Sequence, residues 1–225
     1  MMKFAAILLA LLLLAGVCLA EPAGEDKLLY QGHGSVRIRT AEGKVIYIDP
    51  YAGEGYDLAA DLILITHGHG DHTAVDLITN RNEDCQIITY QEALVDGEHK
   101  TFDLGYVTVE AVEAGNNRNH DIKVCVGYIL TLPSGITVYL SGDTSTTEQM
   151  STFAERKLDY AFFSCDGRYN MNTEEASKCA ETVGAVHSVP YHMAPGGLFD
   201  RAIAETFVVE GRLIVEAGEE IVLEK

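Results

Sequence analysis

Beyond residue 20 the chain is built from short apolar runs separated by polar or glycine-containing turns. Runs at 28–31, 36–39, 45–48 and 62–65 predict four strands in the first third. Further runs at 86–89, 107–112, 124–130, 137–140, 159–163 and 186–190 predict six more. Turn signals such as Ala41-Glu42-Gly43-Lys44 punctuate them. Apolar residues recur at helical spacing over 73–79, 147–156, 173–183 and 198–208. Thr173 followed by Glu174 and Glu175 suits a helix N-terminus, where a hydroxyl and acids meet free N–H groups. The tail at 213–223 adds one or two strands. Strands first in meanders, then mixed with helices, predict two sheets with helices packed outside. No linker or repeat divides residues 21–225, which read as one domain.

The first twenty residues read differently. Lys3 precedes an uncharged, mostly apolar run to Ala20, and small residues stand at Cys18 and Ala20. This is the layout of a signal peptide cleaved before Glu21. It predicts an exported protein, periplasmic or extracellular, with no stable membrane insertion once the leader is removed. An uncleaved anchor is the alternative, because the run approaches bilayer length.

Charge narrows the function. The 34 acids against 16 lysines and arginines give a net charge of -18. Such a chain repels phosphate backbones, so nucleic acid is not expected as a partner; a small-molecule substrate is. Cys85, Cys125, Cys165 and Cys179 follow the leader. Export permits disulfides between them, while their wide spacing and apolar settings suit buried thiols equally well.

The most informative stretch is Leu62 to His72. A buried strand runs into a loop with His67, His69, Asp71 and His72, three of the chain's eight histidines within six positions. Alternation along an extended chain lets His67 and His69 point the same way and share one metal ion. Asp71 and His72, past the bend, can face a second ion. Gly68 and Gly70 are expected to leave the loop room to fold. Imidazole with one carboxylate suits zinc best, with manganese or iron as alternatives.

At these residues the sequence resembles the metallo-β-lactamase superfamily, whose His-x-His-x-Asp-His signature is matched throughout. The resemblance continues through His120, the Gly142-Asp143-Thr144 element and His192. It implies an α/β fold, an αββα sandwich of two mixed β-sheets with helices outside and metals at the sheet edges. Gly32-His33-Gly34-Ser35, Ile48-Asp49-Pro50 and Tyr169-Asn170-Met171 resemble the small metal-dependent hydrolase branch that includes L-ascorbate-6-phosphate lactonase. That branch usually has threonine where this chain has Asn170.

Carried over, the first ion would take His67, His69 and His120, and the second Asp71, His72 and His192, with Asp143 between them. The implied reaction is attack by a hydroxide held between two divalent ions, steered by Asp71 and Asp143, on a small anionic ester, lactone or phosphodiester. A non-catalytic, metal-stabilised binding protein is the competing expectation. His33 would either approach the site or satisfy a turn. Asp49 would hold a ligating histidine or loop backbone, with a strand-end turn as the plainer role. Tyr169 would contact substrate or simply pack at the rim. His187, five residues before His192, would face away, and His99 would lie in a solvated turn. His69 stands where oxygen-reducing di-iron relatives usually carry glutamate, and Asp143 where class B β-lactamases carry cysteine or serine. Both chemistries are disfavoured.

Overall fold

The computed structural model describes residues 24–225; the predicted leader, 1–20, lies outside the described residues. Among the described residues there are fourteen strands: β1 Lys27–Gly32, β2 Ser35–Arg39, β3 Val45–Ile48, β4 Ala60–Ile65, β5 Arg81–Thr89, β6 Leu94–Val95, β7 Glu98–His99, β8 Thr101–Asp103, β9 Thr108–Glu113, β10 Val126–Thr131, β11 Thr137–Leu140, β12 Tyr160–Ser164, β13 His187–Tyr191 and β14 Glu220–Val222. The first sheet has the order β14-β1-β2-β3-β4-β5 and the second β13-β12-β11-β10-β9-β8; β6 and β7 form a separate hairpin. Each large sheet is mixed. The pairs β3/β4, β4/β5, β11/β12 and β12/β13 are parallel, and the others antiparallel.

Strand alternation sorts the side chains into layers. Ile46, Ile48, Leu62 and Leu64 of the first sheet meet Tyr128, Leu130, Val138, Leu140 and Phe162 of the second in one inter-sheet core. The opposite face of the second sheet, with Ile129, Tyr139, Ala161 and Phe163, is covered by helix α2, Thr173–Val183, and by a 3₁₀ helix, Gln149–Arg156. The opposite face of the first sheet, with Val45, Tyr47, Ile63 and Ile65, is covered by Tyr56, Leu58, Val75 and Ile78 from loops. The αββα sandwich is therefore present, with a thin outer layer on one side.

Three predicted helices are shorter than their periodicity suggested. In 73–79 only a 3₁₀ turn, Val75–Leu77, forms: the Ala74 N–H goes to Pro50 O, and Leu77 and Ile78 bond three residues back. The 147–156 segment is 3₁₀ rather than α and ends at Lys157 with φ 53°. In 198–208 the helix, α3, is Arg201–Ala204; the Val208 N–H is taken by Ser177 Oγ instead of a helical carbonyl. In 198–208 a tertiary partner thus captured a backbone N–H that a continuing helix required. A one-turn helix, α1 Tyr90–Ala93, was not anticipated; it is capped by Thr89, which forms a capping box with Glu92. Helix α2 begins as predicted, with Asn172 Oδ1 accepting from the Glu175 N–H. The tail contributes one strand, β14, and an isolated bridge from Arg212 to Ser188. Cys85, Cys125, Cys165 and Cys179 are free thiols. Among the described residues, no helix is long and apolar enough to cross a membrane.

Candidate metal centre

The chemistry collects where strands of both sheets end along one edge of the sandwich. His33 comes from the β1–β2 turn and Asp49 follows β3. His67, His69, Asp71 and His72 follow β4, and His120 follows β9. Asp143, Asp166 and His192 follow β11, β12 and β13. Core tyrosines fix these loops from below: Tyr128 Oη donates to Ile65 O at the end of β4 (3.0 Å), and the Gly142 N–H donates to Tyr191 Oη (2.9 Å). Among the described residues six non-glycine residues have positive φ, and four of them (His33, Asp49, Asn116 and His192) belong to this edge. Backbone strain of this kind persists only where the surroundings over-determine it.

Three groups of donor atoms, each within 4.8 Å, form here: His67, His69 and His120; His33, Asp71, His72 and His192; and His67, His72 and Asp143. His67 Nε2 stands 3.1 Å from His69 Nδ1, and His72 Nε2 stands 3.3 Å from His192 Nε2. Nitrogens bound tetrahedrally to one zinc at about 2.0–2.1 Å stand roughly 3.3–3.4 Å apart. Asp143 faces both sides: Oδ1 is 3.4 Å from His72 Nε2 and 3.3 Å from His192 Nε2, while Oδ2 is 3.3 Å from His120 Nε2. Asp143 Oδ1, which faces His72 Nε2 and His192 Nε2, is buried without a hydrogen-bond partner. Buried donors and acceptors left this way are costly unless a cation completes them, so the donor set fits divalent metal.

Asp49 organises two of these histidines. Its Oδ2 accepts from His72 Nδ1–H (2.9 Å) and from the Thr66 hydroxyl (2.6 Å), and its Oδ1 accepts from the Thr66 N–H (2.8 Å). Thr66 Oγ1 lies in turn 3.1 Å from His67 Nδ1. With its proton given to Asp49, that hydroxyl accepts from His67. Both imidazoles are thereby held with the Nε2 lone pair toward the cluster, the usual support for a metal-ligating histidine. His33 reaches the site rather than satisfying its own turn: Nε2 lies 3.1 Å from Asp71 Oδ2, and Nδ1 3.1 Å from Gly197 O in the loop after β13. Gly34 lies so close that a Cβ there would stand 2.8 Å from His72 Cε1.

The electrostatics follow from crowding. Burial pulls the His67 imidazole down to about 2, with the neighbouring His72 acting in the same direction. Burial also lowers His192. For His72 burial opposes the charge, but Asp143 and Asp49 outweigh it and push the imidazole up to about 9. Burial works against an ionised Asp143 as well, yet the surrounding histidines hold it well below the ordinary carboxylate range. The hydrogen bond from His33 holds Asp71 below that range too. Both carboxylates are therefore ionised at neutral pH. The cluster offers negative charge and neutral imidazole at His67 and His192, the forms in which these groups bind metal, whereas His72 would give up its proton to an incoming ion.

A cavity of about 270 Å³ opens onto the cluster, lined by His69, Asp71, Asn119, His120, Asp143, Tyr169 and His192. Tyr169 stands at its rim and is 41% exposed. Asp166 was not singled out from the sequence, and Asn170 was noted there only as a departure from the branch pattern. Asn170 Nδ2 donates to Asp143 Oδ2 (3.0 Å) and to Asp166 Oδ2 (2.9 Å). Asp166 Oδ2 lies 3.5 Å from His192 Nδ1. The signal available was Asp166-Gly167 immediately after a buried strand, the same strand-end position that Asp143 occupies. His187 lies at the far end of β13 against the Tyr160 ring, away from the cluster. Two expectations need correction. His99 is not in a solvated turn but on β7, half-buried, with Nε2 enclosed and without a partner. Gly70 has open space where a Cβ would stand, so packing does not demand glycine there, whereas at Gly68 a Cβ would meet Tyr90 Oη at 2.9 Å.

Residues 27–192 match the family model described as a beta-lactamase superfamily domain. A UPF0173 metal-dependent hydrolase from Geobacillus thermodenitrificans is 32% identical over 194 residues, covering 74% of this chain and 84% of that protein. A metal-dependent hydrolase structure from Parabacteroides distasonis has a TM-score of 0.69 at 26% identity, covering 85% of this chain and 93% of its own. Igni18, a metallo hydrolase from Ignicoccus hospitalis, shares the fold with a TM-score of 0.67 at 21% identity, over 89% and 99% of the two chains. The chain belongs to the beta-lactamase superfamily and, within it, to the UPF0173 metal-dependent hydrolases.

Proposed function

We propose that this metal-dependent hydrolase is an exported enzyme that uses two divalent ions and acts on a small anionic ester, lactone or phosphodiester. The observation that carries the reading is Asp143, whose two carboxylate oxygens face two different sets of histidines. His67, His69 and His120 would hold one ion, and Asp71, His72 and His192 the other, with Asp143 shared. Zinc suits this nitrogen-rich set best, with manganese or iron as alternatives. Such an ion pair, when bound, supplies activation of water near neutral pH and neutralisation of charge on the leaving oxygen.

The chain's own residues do the rest. Ionised Asp71 and Asp143 accept hydrogen bonds from the attacking water and fix its direction. Asn119 and Tyr169 line the cavity and bound the substrate, and a volume of about 270 Å³ limits that substrate to a small molecule. No side chain here is poised as the nucleophile. The Cys125 and Cys165 thiols are pushed up to about 12 by burial, and Ser141 Oγ is fully buried, donating to Gly142 O. Water is the remaining nucleophile. Net charge of -18 supports small molecules over nucleic acid as partners, and the leader at 1–20 supports export.

The test is an activity screen of the metal-loaded protein across phosphodiesters, lactones, thioesters and β-lactams, with an RNA oligonucleotide as control. Turnover of a small anionic substrate is expected, falling about a hundredfold or more in Asp71→Ala. Turnover retained in that variant, or cleavage of RNA alone, contradicts the reading. N-terminal sequencing of the exported form should begin at Glu21; a start at Met1 overturns the cleavage.

A further inference from the structure

In this acidic chain most arginines are already engaged. Arg37, Arg156 and Arg201 pair with carboxylates, and Arg81 and Arg212 donate to backbone carbonyls. Arg39, Arg118 and Arg168 do neither among the described residues, and of these only Arg118 and Arg168 adjoin the site. Arg118 and Arg168 are exposed, and each stands one position before a residue that lines the site cavity, Asn119 and Tyr169 respectively. Asn119 Nδ2 donates to Tyr169 O (3.3 Å), so the two loops are joined beside the cavity mouth.

Arg168 is also pre-positioned. Its guanidinium carbon sits 5.0 Å from the centre of the Tyr169 ring. Stacking on a ring uses the face of the guanidinium and leaves its edge N–H groups free for an oxyanion. The acid nearest in sequence does not neutralise it. Asp166 is buried, and its Oδ1 is occupied by the N–H groups of Arg168 (2.6 Å), Tyr169 (2.7 Å) and Asn170 (3.2 Å). That carboxylate folds the loop and turns Arg168 and Tyr169 outward together. An arginine without an acid partner, in a protein with twice as many acids as bases, held over a cavity-lining ring, has the features of an anion receptor.

We propose that Arg168, stacked on Tyr169 and flanked by Arg118, is the specificity-determining residue that binds an oxyanion of the substrate remote from the bond cleaved. The substrate class is a small acid whose scissile ester, lactone or phosphodiester is separated by a short spacer from a carboxylate or phosphate. This rests on the hydrolytic reading of the metal centre, and the two fail separately.

The test is calorimetric titration of the full-length, metal-loaded protein with adipate and with hexanoate. These ligands have equal chain length, and only adipate carries the second oxyanion. Wild type should bind adipate at least tenfold more tightly than hexanoate. R168A should abolish that preference, and R168K should retain only part of it, because a lysine cannot offer the bidentate fork. R39A removes the same charge at the other end of β2 and should keep the preference, which separates a specific contact from bulk electrostatics. Titration with 6-phosphohexanoate in place of adipate distinguishes phosphate from carboxylate as the preferred group. Equal affinity for hexanoate and both doubly anionic ligands in wild type, or a preference that survives R168A, overturns the proposal. Absence of turnover on every ester, lactone and phosphodiester would instead overturn the hydrolytic reading while leaving the titration fully readable.

Discussion

Asp49→Asn preserves the shape of a side chain while changing what it can accept. The native carboxylate receives three donors: the Thr66 N–H at 2.8 Å, the Thr66 hydroxyl at 2.6 Å and His72 Nδ1–H at 2.9 Å. An amide has one oxygen for them and turns an NH2 group toward the rest. If the oxygen keeps the backbone N–H, the NH2 faces His72. The imidazole relieves the clash by moving its proton from Nδ1 to Nε2. Nε2, 3.3 Å from His192 Nε2, then presents N–H to the donor cluster instead of a lone pair. Loss of such support costs about 10–100-fold in metal affinity, equivalent to about 1.4–2.8 kcal/mol. The fold itself loses roughly 1–3 kcal/mol for the broken buried hydrogen bonds. The assay is competition for zinc against a chromophoric chelator near neutral pH, with a melt in chelator alone to measure damage to the fold. D49N binding zinc as tightly as wild type would refute the assigned role of Asp49 in fixing the His72 tautomer.

Chelation should lower the melting temperature by several degrees, since an ion at a hundred times its Kd adds about 2.7 kcal/mol; an unchanged melt after verified metal removal contradicts this. Asp61 accepts from Lys44 Nζ, the Val45 N–H and Asn82 Nδ2, each at 2.9 Å. Burial alone would raise its carboxyl, but these bonds outweigh it and hold the group below its ordinary value. The stability it contributes is therefore present above the ordinary carboxylate range and is lost as pH falls through the depressed folded value. Asp61→Asn should cost roughly 1–3 kcal/mol at neutral pH, a gap that closes in acid; a gap independent of pH in denaturant melts is the contrary result. Phe163 is fully buried, its ring centre 5.9 Å from that of Tyr139 and 6.1 Å from that of Phe207. Phe163→Ala should cost about 3–5 kcal/mol in urea unfolding, and a loss under about 1 kcal/mol would show that this layer is not close-packed.

The sheets and their metal-facing loops were legible because both are local patterns. A short continuous apolar run marks a buried strand such as β10 whether or not its neighbours are known, and histidines at 67, 69 and 72 after a buried strand announce themselves by type and spacing. Helix lengths were less legible; in 198–208, for example, the Ser177 hydroxyl that captures the Val208 N–H is remote in sequence. The relay from Asp49 through Thr66 to His67 spans 18 positions and joins residues of ordinary turn chemistry. The Asp166–Asn170 pair was hidden for a similar reason. Aspartate and asparagine near a turn usually bond their own backbone, and Asp166 does so while also reaching toward His192 across from β13. His99 was misplaced because Gly97-Glu98-His99-Lys100 reads as a solvated turn, whereas the β6–β7 hairpin folds it against its surroundings.

The central claim, two ions sharing Asp143, is tested most directly by elemental analysis of the wild-type protein after gentle purification and zinc loading. About two ions per chain are predicted. No uptake, or saturation at a single ion with all seven of His67, His69, Asp71, His72, His120, Asp143 and His192 intact, would contradict it.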